Sequence, residues 1–84
     1  MDEFLVEIEK HKDSFYRYIR RNVWDSGVAD DVFSSAVLVA YKSKDKFRAG
    51  SNFRAWMFKI LTNKCFVANR EIARRDVNLE DAQE

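Results

Sequence analysis

Residues 47–75 read FRAGSNFRAWMFKILTNKCFVANREIARR, a short polar connector followed by a strongly periodic segment. In the periodic part, apolar residues recur mostly at intervals of three and four, at Phe53, Trp56, Met57, Ile60, Leu61 and Cys65. This spacing places them on one face of an α-helix. Ser51 or Asn52 can cap the start of the helix, because either side-chain oxygen can accept a hydrogen bond from an unpaired backbone N–H. We predict an amphipathic helix that packs this apolar stripe against the rest of the chain.

The periodicity becomes less regular after Leu61, around Thr62-Asn63-Lys64. A bend, or a new helix that begins near Asn63, would explain the change, and Asn63 is a suitable cap or kink residue on structural grounds alone. Residues 76–84 are acidic and carry two isolated aliphatic side chains. We expect them to form a frayed end or the start of a linker.

Two further helical segments precede this one. From Asp2 to Trp24 the apolar residues follow helical spacing, and Asp25-Ser26-Gly27 then predicts a turn. A second helix should start near Val28, and its run VFSSAVLVAY, residues 32–41, is apolar almost all round. Such a helix is central in its bundle or keeps a second face for a partner. The predicted fold is an all-α bundle of three main helices, with a pattern that allows the third to break near Asn63.

The composition supports one small helical domain. The 84 residues include no proline and two glycines, and 46% of them are hydrophobic. A lone cysteine, Cys65, excludes an internal disulfide and fits a reducing compartment. No apolar run approaches the roughly 20 residues of a membrane span, and the N-terminus lacks the basic region of a signal peptide. We expect a cytoplasmic protein without a membrane partner.

The net charge of +1 conceals an uneven distribution. Residues 1–41 carry five basic and eight acidic side chains, residues 42–75 carry ten and two, and residues 76–84 carry none and four. A basic middle between acidic ends suggests two partner surfaces, one of them for a polyanion. The alternative is a solvated helix face on which the charges cluster by chance.

The order of these features resembles region 2 of bacterial sigma factors, and most closely the extracytoplasmic-function group. Residues 47–63 match that group's run F-x-x-G-[ST]-N-x-[RK]-A-W-[LM]-[YF]-[RK]-I-x-[TV]-N without a gap, and Ala29-Asp30-Asp31-Val32 also fits. The resemblance covers residues 4–75. It implies a domain over residues 1–75 that binds core RNA polymerase and recognises and melts the minus-ten promoter element.

The resemblance also implies roles for individual residues. A pocket for an unstacked base of the non-template strand would be shaped by Phe47, Phe58, Ile60 and Asn63. Asn63 would read the base edge, because an amide both donates and accepts hydrogen bonds. The phosphate backbone would be held by Arg54, Lys59, Lys64, Arg70, Arg74 and Arg75. Trp56 could stack on DNA, although its spacing to Ile60 favours a core position, and Phe58 lies off the stripe and should be the more exposed of the two.

The polymerase contact implied by the resemblance is between the second helix and the coiled coil of the largest subunit, through Asp31, Ser34, Ser35 and Leu38. The chain departs from the group here, because the usual Asp-x-x-Gln-Glu is Asp31-Val32-Phe33-Ser34-Ser35. Without the amide and the carboxylate, we expect a weaker or differently arranged contact. An anti-sigma factor is a further expected partner. A second departure is that no helix-turn-helix domain for the minus-thirty-five element follows, so we expect an isolated region 2 domain with residues 76–84 as the start of a linker.

Two other classes of function are alternatives to this one. In a protein–protein interaction module, the apolar second helix would dock a partner and the basic helix would serve solubility. An enzyme is disfavoured, since the chain has one histidine, one cysteine without a matched base and no glycine-rich phosphate loop. No metal or cofactor is expected, because no second histidine or cysteine at ligand spacing accompanies His11. Cys65 beside Lys64 could be a redox sensor, but its place on the apolar stripe favours a buried structural thiol.

Overall fold

The computed structural model describes residues 2–47 and 50–83, and from residue 76 onward the backbone alone. Arg48 and Ala49, in the connector, lie outside the described residues. The described chain forms three α-helices: α1 (Glu3–Asn22), α2 (Ala29–Lys42) and α3 (Phe53–Gln83). Two short 3-10 turns, Ser26–Val28 and Lys44–Lys46, follow α1 and α2. Because no strand occurs in these described ranges, the prediction of an all-α fold with three main helices is confirmed.

Polar side chains cap the starts of α1 and α3. Asp2 caps α1, and its carboxylate accepts a hydrogen bond of 2.8 Å from the backbone N–H of Phe4. That bond, together with Lys44 Nζ at 3.2 Å, lowers the pKa of the Asp2 carboxyl. Asn52 caps α3, because its Oδ1 accepts a hydrogen bond of 3.1 Å from the N–H of Ala55. Gly50 lies two residues before this cap and has a backbone φ of +90°, a conformation that favours glycine.

The core lies where the three helices meet. It consists of the buried side chains Ile8, Phe15, Ile19, Val23, Ala29, Val32, Ala36, Ala40, Met57, Leu61 and Cys65. The central part of α2 contributes Ala36 and Ala40, whose small side chains allow α1 and α3 to approach it closely. Cys65 is buried, as its position on the stripe predicts, and burial raises the pKa of its thiol.

The third helix is continuous, so the break near Asn63 that the sequence pattern allows does not occur. The helix runs for 31 residues from Phe53 to Gln83 without interruption. Its buried stripe continues beyond Leu61 through Cys65, Ala68 and Ile72, which keep the spacing of three and four. The apolar spacing looks irregular after Leu61 only where Ala68 and Ile72 are not counted as part of the stripe.

The same helix includes residues 76–83, where we predicted a frayed end or a linker. The backbone of this acidic segment is helical, and its role as a linker stays a prediction. None of the helices described above is long and apolar enough to cross a membrane.

Candidate nucleic-acid interface

One side of α3, at the margin of the core, carries two of the residues predicted to bind a base. Trp56, Ile60 and Asn63 are four and three residues apart, so they lie on one side of the helix. Trp56 and Ile60 are half-buried, whereas Asn63 is exposed. Phe47 packs against this face at its N-terminal end, with its ring centroid 5.3 Å from that of Trp56. The structure therefore brings Phe47, Ile60 and Asn63 to one side of the domain and adds Trp56 to them.

Asn63 is exposed and does not cap a helix within the described chain. It lies in the middle of the helix, so the interpretation of Asn63 as a helix cap is wrong. Its amide makes no hydrogen bond with the part of the chain that the structure describes. Asparagine is a poorer helix former than alanine by about 0.5 kcal/mol at an exposed position. An exposed amide that weakens its own helix is free to bind something else.

Phe58, which we placed in the same pocket, lies on the opposite side of α3. It is two residues from Trp56 and from Ile60, which is a rotation of about 200° around the helix. Its ring packs edge-on against Phe15 at 5.4 Å and Tyr18 at 5.1 Å, both on α1. Phe58 and Trp56 are both half-buried, so the expectation of a more exposed Phe58 is not met. The stripe of α3 alone could not show that α1 offers Phe58 a second apolar surface.

The six basic residues expected to hold phosphates do not form one patch. Lys59 and Arg70 are exposed and lie four residues before and seven residues after Asn63, on the same face. Arg54 points toward α1, where it donates a hydrogen bond of 3.1 Å to Ser14 Oγ. Lys64 is half-buried and lines a groove beside α2. Lys59 and Arg70 are therefore the nearest exposed basic residues on the face of α3 that carries Asn63.

Arg74 and Arg75 each have a carboxylate partner within the domain. Arg74 Nη1 lies 3.0 Å from Glu71 Oε1, and Arg75 Nη2 lies 3.7 Å from Asp25 Oδ2. All four side chains are largely exposed, so these pairs are weak and a phosphate group can replace the carboxylate at little cost. Both arginines can therefore still bind a polyanion, in the C-terminal half of α3.

An exposed aromatic residue, Phe66, was absent from the predicted set. Its side chain is 61% exposed and lies three residues after Asn63 on the outer side of α3. The guanidinium carbon of Arg70 lies 5.8 Å from the centre of the Phe66 ring. The sequence alone could have indicated that Phe66 is exposed, because Phe66 is out of phase with the apolar stripe through Leu61 and Cys65.

The outer face of α2 forms a second candidate surface. Its predicted polymerase-binding residues lie three, four and seven positions after the first of them and so share one side of the helix: Asp31, Ser34, Ser35 and Leu38. Ser35 is half-buried and the other three are exposed. Tyr16 on α1 donates a hydrogen bond of 2.8 Å to Asp30, which fixes the first turn of α2. Burial, and then this carboxylate, raise the pKa of Tyr16.

A shallow groove adjoins this surface, between α2 and the C-terminal half of α3. Its volume is about 740 Å³, and apolar side chains such as Val28, Val32 and Ile72 form its floor. Asp31, Lys64 and Glu71 contribute charged groups to its lining. An apolar floor with charged edges suits an amphipathic helix more than a small polar molecule.

The chain is similar to a known protein family. A family profile described as Sigma-70 region 2 matches residues 8–75, which include most of α1, all of α2 and α3 as far as Arg75. No curated protein and no solved structure shows a significant match to the chain.

Proposed function

Because the chain belongs to the sigma-70 region 2 family, we propose that it is the promoter-melting domain of an extracytoplasmic-function sigma factor. The family acts in transcription initiation through RNA polymerase and promoter DNA, and it is not an enzyme family. In this proposal the domain works in the bacterial cytoplasm, binds core RNA polymerase and captures a base of the non-template strand of the minus-ten element. The observation that carries it is the exposed amide of Asn63 in mid-helix, beside the apolar side chains of Ile60 and Trp56.

The outer face of α3 has the chemistry that base capture needs. A base that leaves the duplex loses its stacking and its pairing, so a protein must offer an apolar surface and a hydrogen-bonding edge. Ile60 and Trp56 provide the apolar surface, and Phe47 holds the Trp56 ring in place from the connector side. The Asn63 amide provides one donor group and one acceptor. Lys59 and Arg70 on the same face would bind the flanking phosphates, which makes the affinity strongly dependent on salt.

The outer face of α2 is the proposed contact for the coiled coil of the largest polymerase subunit. Asp31 supplies one charged anchor, and Leu38 supplies an exposed apolar one. Ser34 and Ser35 are short and uncharged, so the apolar contact at Leu38 should carry more of the binding energy than the polar ones. An anti-sigma factor that covers either surface is a further proposed partner.

The groove beside α2 supports one alternative function, a protein–protein interaction module without base-specific DNA binding. Its apolar floor can bind a partner helix whether or not the domain binds DNA. The two functions differ in one property, because only the sigma factor role predicts salt-dependent binding to single-stranded minus-ten DNA.

Fluorescence anisotropy of the whole chain can test the proposed function. The probes are single-stranded oligonucleotides that differ in the six-base minus-ten sequence, each measured at two salt concentrations. We expect preferential, salt-sensitive binding to one sequence and loss of that preference in Asn63→Ala. Equal binding of all sequences by the wild-type chain, or no binding at low salt, would favour the interaction module.

A further inference from the structure

The two most exposed large hydrophobic side chains in the described chain lie at the same end of the domain. Trp24 is 69% exposed and Phe66 is 61% exposed. Asn69 holds the backbone at Trp24 against α3, because its Oδ1 accepts a hydrogen bond of 2.9 Å from the backbone N–H of Trp24 and its Nδ2 donates one of 2.8 Å to the Asn22 carbonyl. These two bonds hold the turn after α1 against α3, one helical turn from Phe66. Neither aromatic side chain is needed for the core.

The surroundings of Phe66 are positively charged. Arg70 lies over the Phe66 ring and forms no ion pair within the part of the chain that the structure describes. Arg21 is exposed in the last turn of α1, three residues before Trp24, whereas Arg20 of the same turn lies over the Tyr16 ring. The nearby carboxylates, Asp25 and Glu71, are paired with Arg75 and Arg74.

We propose that Phe66 and Arg70 form a stacking platform for single-stranded DNA, next to the base that Asn63 reads. This inference rests on the proposed function, which places an unstacked strand on the outer face of α3. Phe66 is three residues from Asn63 on that face, so a strand that continues from Asn63 toward the C-terminal half of α3 would reach the Phe66 ring. An exposed ring takes any base by stacking, and the adjacent guanidinium takes the phosphate. Trp24 lies beyond Phe66 and marks the end of the platform.

The charge of this surface favours a nucleic acid over a protein as the occupant. An apolar protein contact would gain little from an unpaired arginine at its centre, since burying that charge requires a partner carboxylate. A polynucleotide supplies the aromatic face and the negative charge together. The platform should therefore add affinity without adding sequence preference.

The test compares oligonucleotides of different length on the whole chain. Anisotropy is measured for the preferred six-base sequence and for the same sequence with two thymidines added at the 5′ or the 3′ end, and also for thymidine oligomers of six and eight bases. We expect one extension to tighten binding by the wild-type chain about tenfold, since an added base can stack on Phe66. Phe66→Leu keeps the apolar bulk but lacks the aromatic face, so it should bind six bases as the wild type does and lose the gain from extension. Phe66→Trp should keep that gain.

Two controls separate stacking from other effects. Leu5→Ala removes an exposed apolar side chain from α1, far along the chain from Phe66, and should leave the gain unchanged. Thermal unfolding followed by circular dichroism should be the same for Phe66→Leu and the wild type, because the side chain is exposed.

The outcomes distinguish this inference from the proposed function. If neither extension raised the affinity of the wild-type chain, the platform would be overturned. An equal gain in affinity in Phe66→Leu would overturn it as well. Preference among six-base sequences would still support the proposed function in both cases. Conversely, a length-dependent gain on thymidine oligomers that Phe66→Leu loses would support the platform even where no sequence preference is found.

Discussion

The hydroxyl oxygen of Tyr18 on α1 lies 2.6 Å from Thr62 Oγ1 on α3. Thr62 in turn donates a hydrogen bond of 2.7 Å to the carbonyl of Phe58, so the Tyr18 hydroxyl is the donor in the bond between the helices. The contact ties α1 to α3 at the residue directly before Asn63. It therefore helps to fix the rotation of α3 that exposes Asn63.

Tyr18→Phe should destabilise the domain without changing the core. The substitution removes the bond to Thr62 but keeps the ring contact with Phe58, so we expect the free energy of unfolding to fall by about 0.5–1 kcal/mol. Urea denaturation followed by circular dichroism measures this change. Arg17→Ala, at an exposed position next to it on α1, is the control and should change little. Equal midpoints for Tyr18→Phe and the wild type would mean that the bond contributes nothing to stability.

Asn63→Ala should have opposite effects on stability and on base recognition. Alanine is the better helix former, so we expect a gain of about 0.5 kcal/mol in the free energy of unfolding. Loss of the amide should remove the preference among minus-ten sequences measured by anisotropy.

Asn52→Ala is the matched control for this prediction, because Asn52 caps α3. It should lower the free energy of unfolding by about 1 kcal/mol and keep the sequence preference. If Asn63→Ala lowered affinity equally for every sequence, Asn63 would not be the residue that reads the base.

The fold was predictable from the sequence because the signals for each helix, apolar spacing and polar residues at its ends, lie within or beside that helix. The spacing of apolar residues places α1 and α2 within one or two residues of their observed bounds, and the polar residues near position 52 predict the start of α3. The sequence pattern failed at one point, because it allowed a break at Asn63 where α3 is continuous. Alanine counts weakly in an apolar pattern, so the contribution of Ala68 to the stripe becomes visible only against α2.

The site was predictable in part, because some of its geometry depends on contacts between helices. Ile60 and Asn63 are three residues apart, and that spacing alone puts them on one face. Phe58 could not be placed in this way, since what decides its position is the pair Phe15 and Tyr18 on a different helix. The position of Arg54 likewise depends on Ser14. Side chains that bridge two helices are where a pattern read along one helix fails.

Lys59→Ala should weaken binding to all single-stranded oligonucleotides alike. Lys59 is exposed, one turn from Asn63, and a phosphate contact carries no sequence information. We expect the slope of log affinity against log salt to become smaller by about 0.7, the value for one phosphate contact on a single strand. Lys12→Ala removes an exposed lysine from α1 and should leave the slope unchanged. The same slope in both variants would place the bound strand away from Lys59.

Cys65 should be unreactive in the folded protein. Its side chain is 3% exposed, and burial raises the pKa of the thiol, so very little thiolate is present and accessible at neutral pH. Labelling with a thiol reagent should be slow without denaturant and become fast in urea at the concentration where circular dichroism shows unfolding. Fast labelling of the folded domain would revive the interpretation of Cys65 as a redox sensor.

Leu38→Asp should separate polymerase binding from DNA binding. Leu38 is 54% exposed on the outer face of α2, so an aspartate there should not disturb the core, while it introduces a charge that must be desolvated at an apolar contact. We expect binding to core RNA polymerase, measured by anisotropy of the labelled chain, to weaken at least tenfold. Affinity for single-stranded minus-ten DNA should stay the same, because Leu38 lies on a different helix from Asn63. Leu5→Asp makes the same change at a 45% exposed leucine of α1 and should affect neither measurement. If Leu38→Asp bound polymerase as the wild type does, the contact would lie elsewhere, and the groove between α2 and α3 would be the next surface to test.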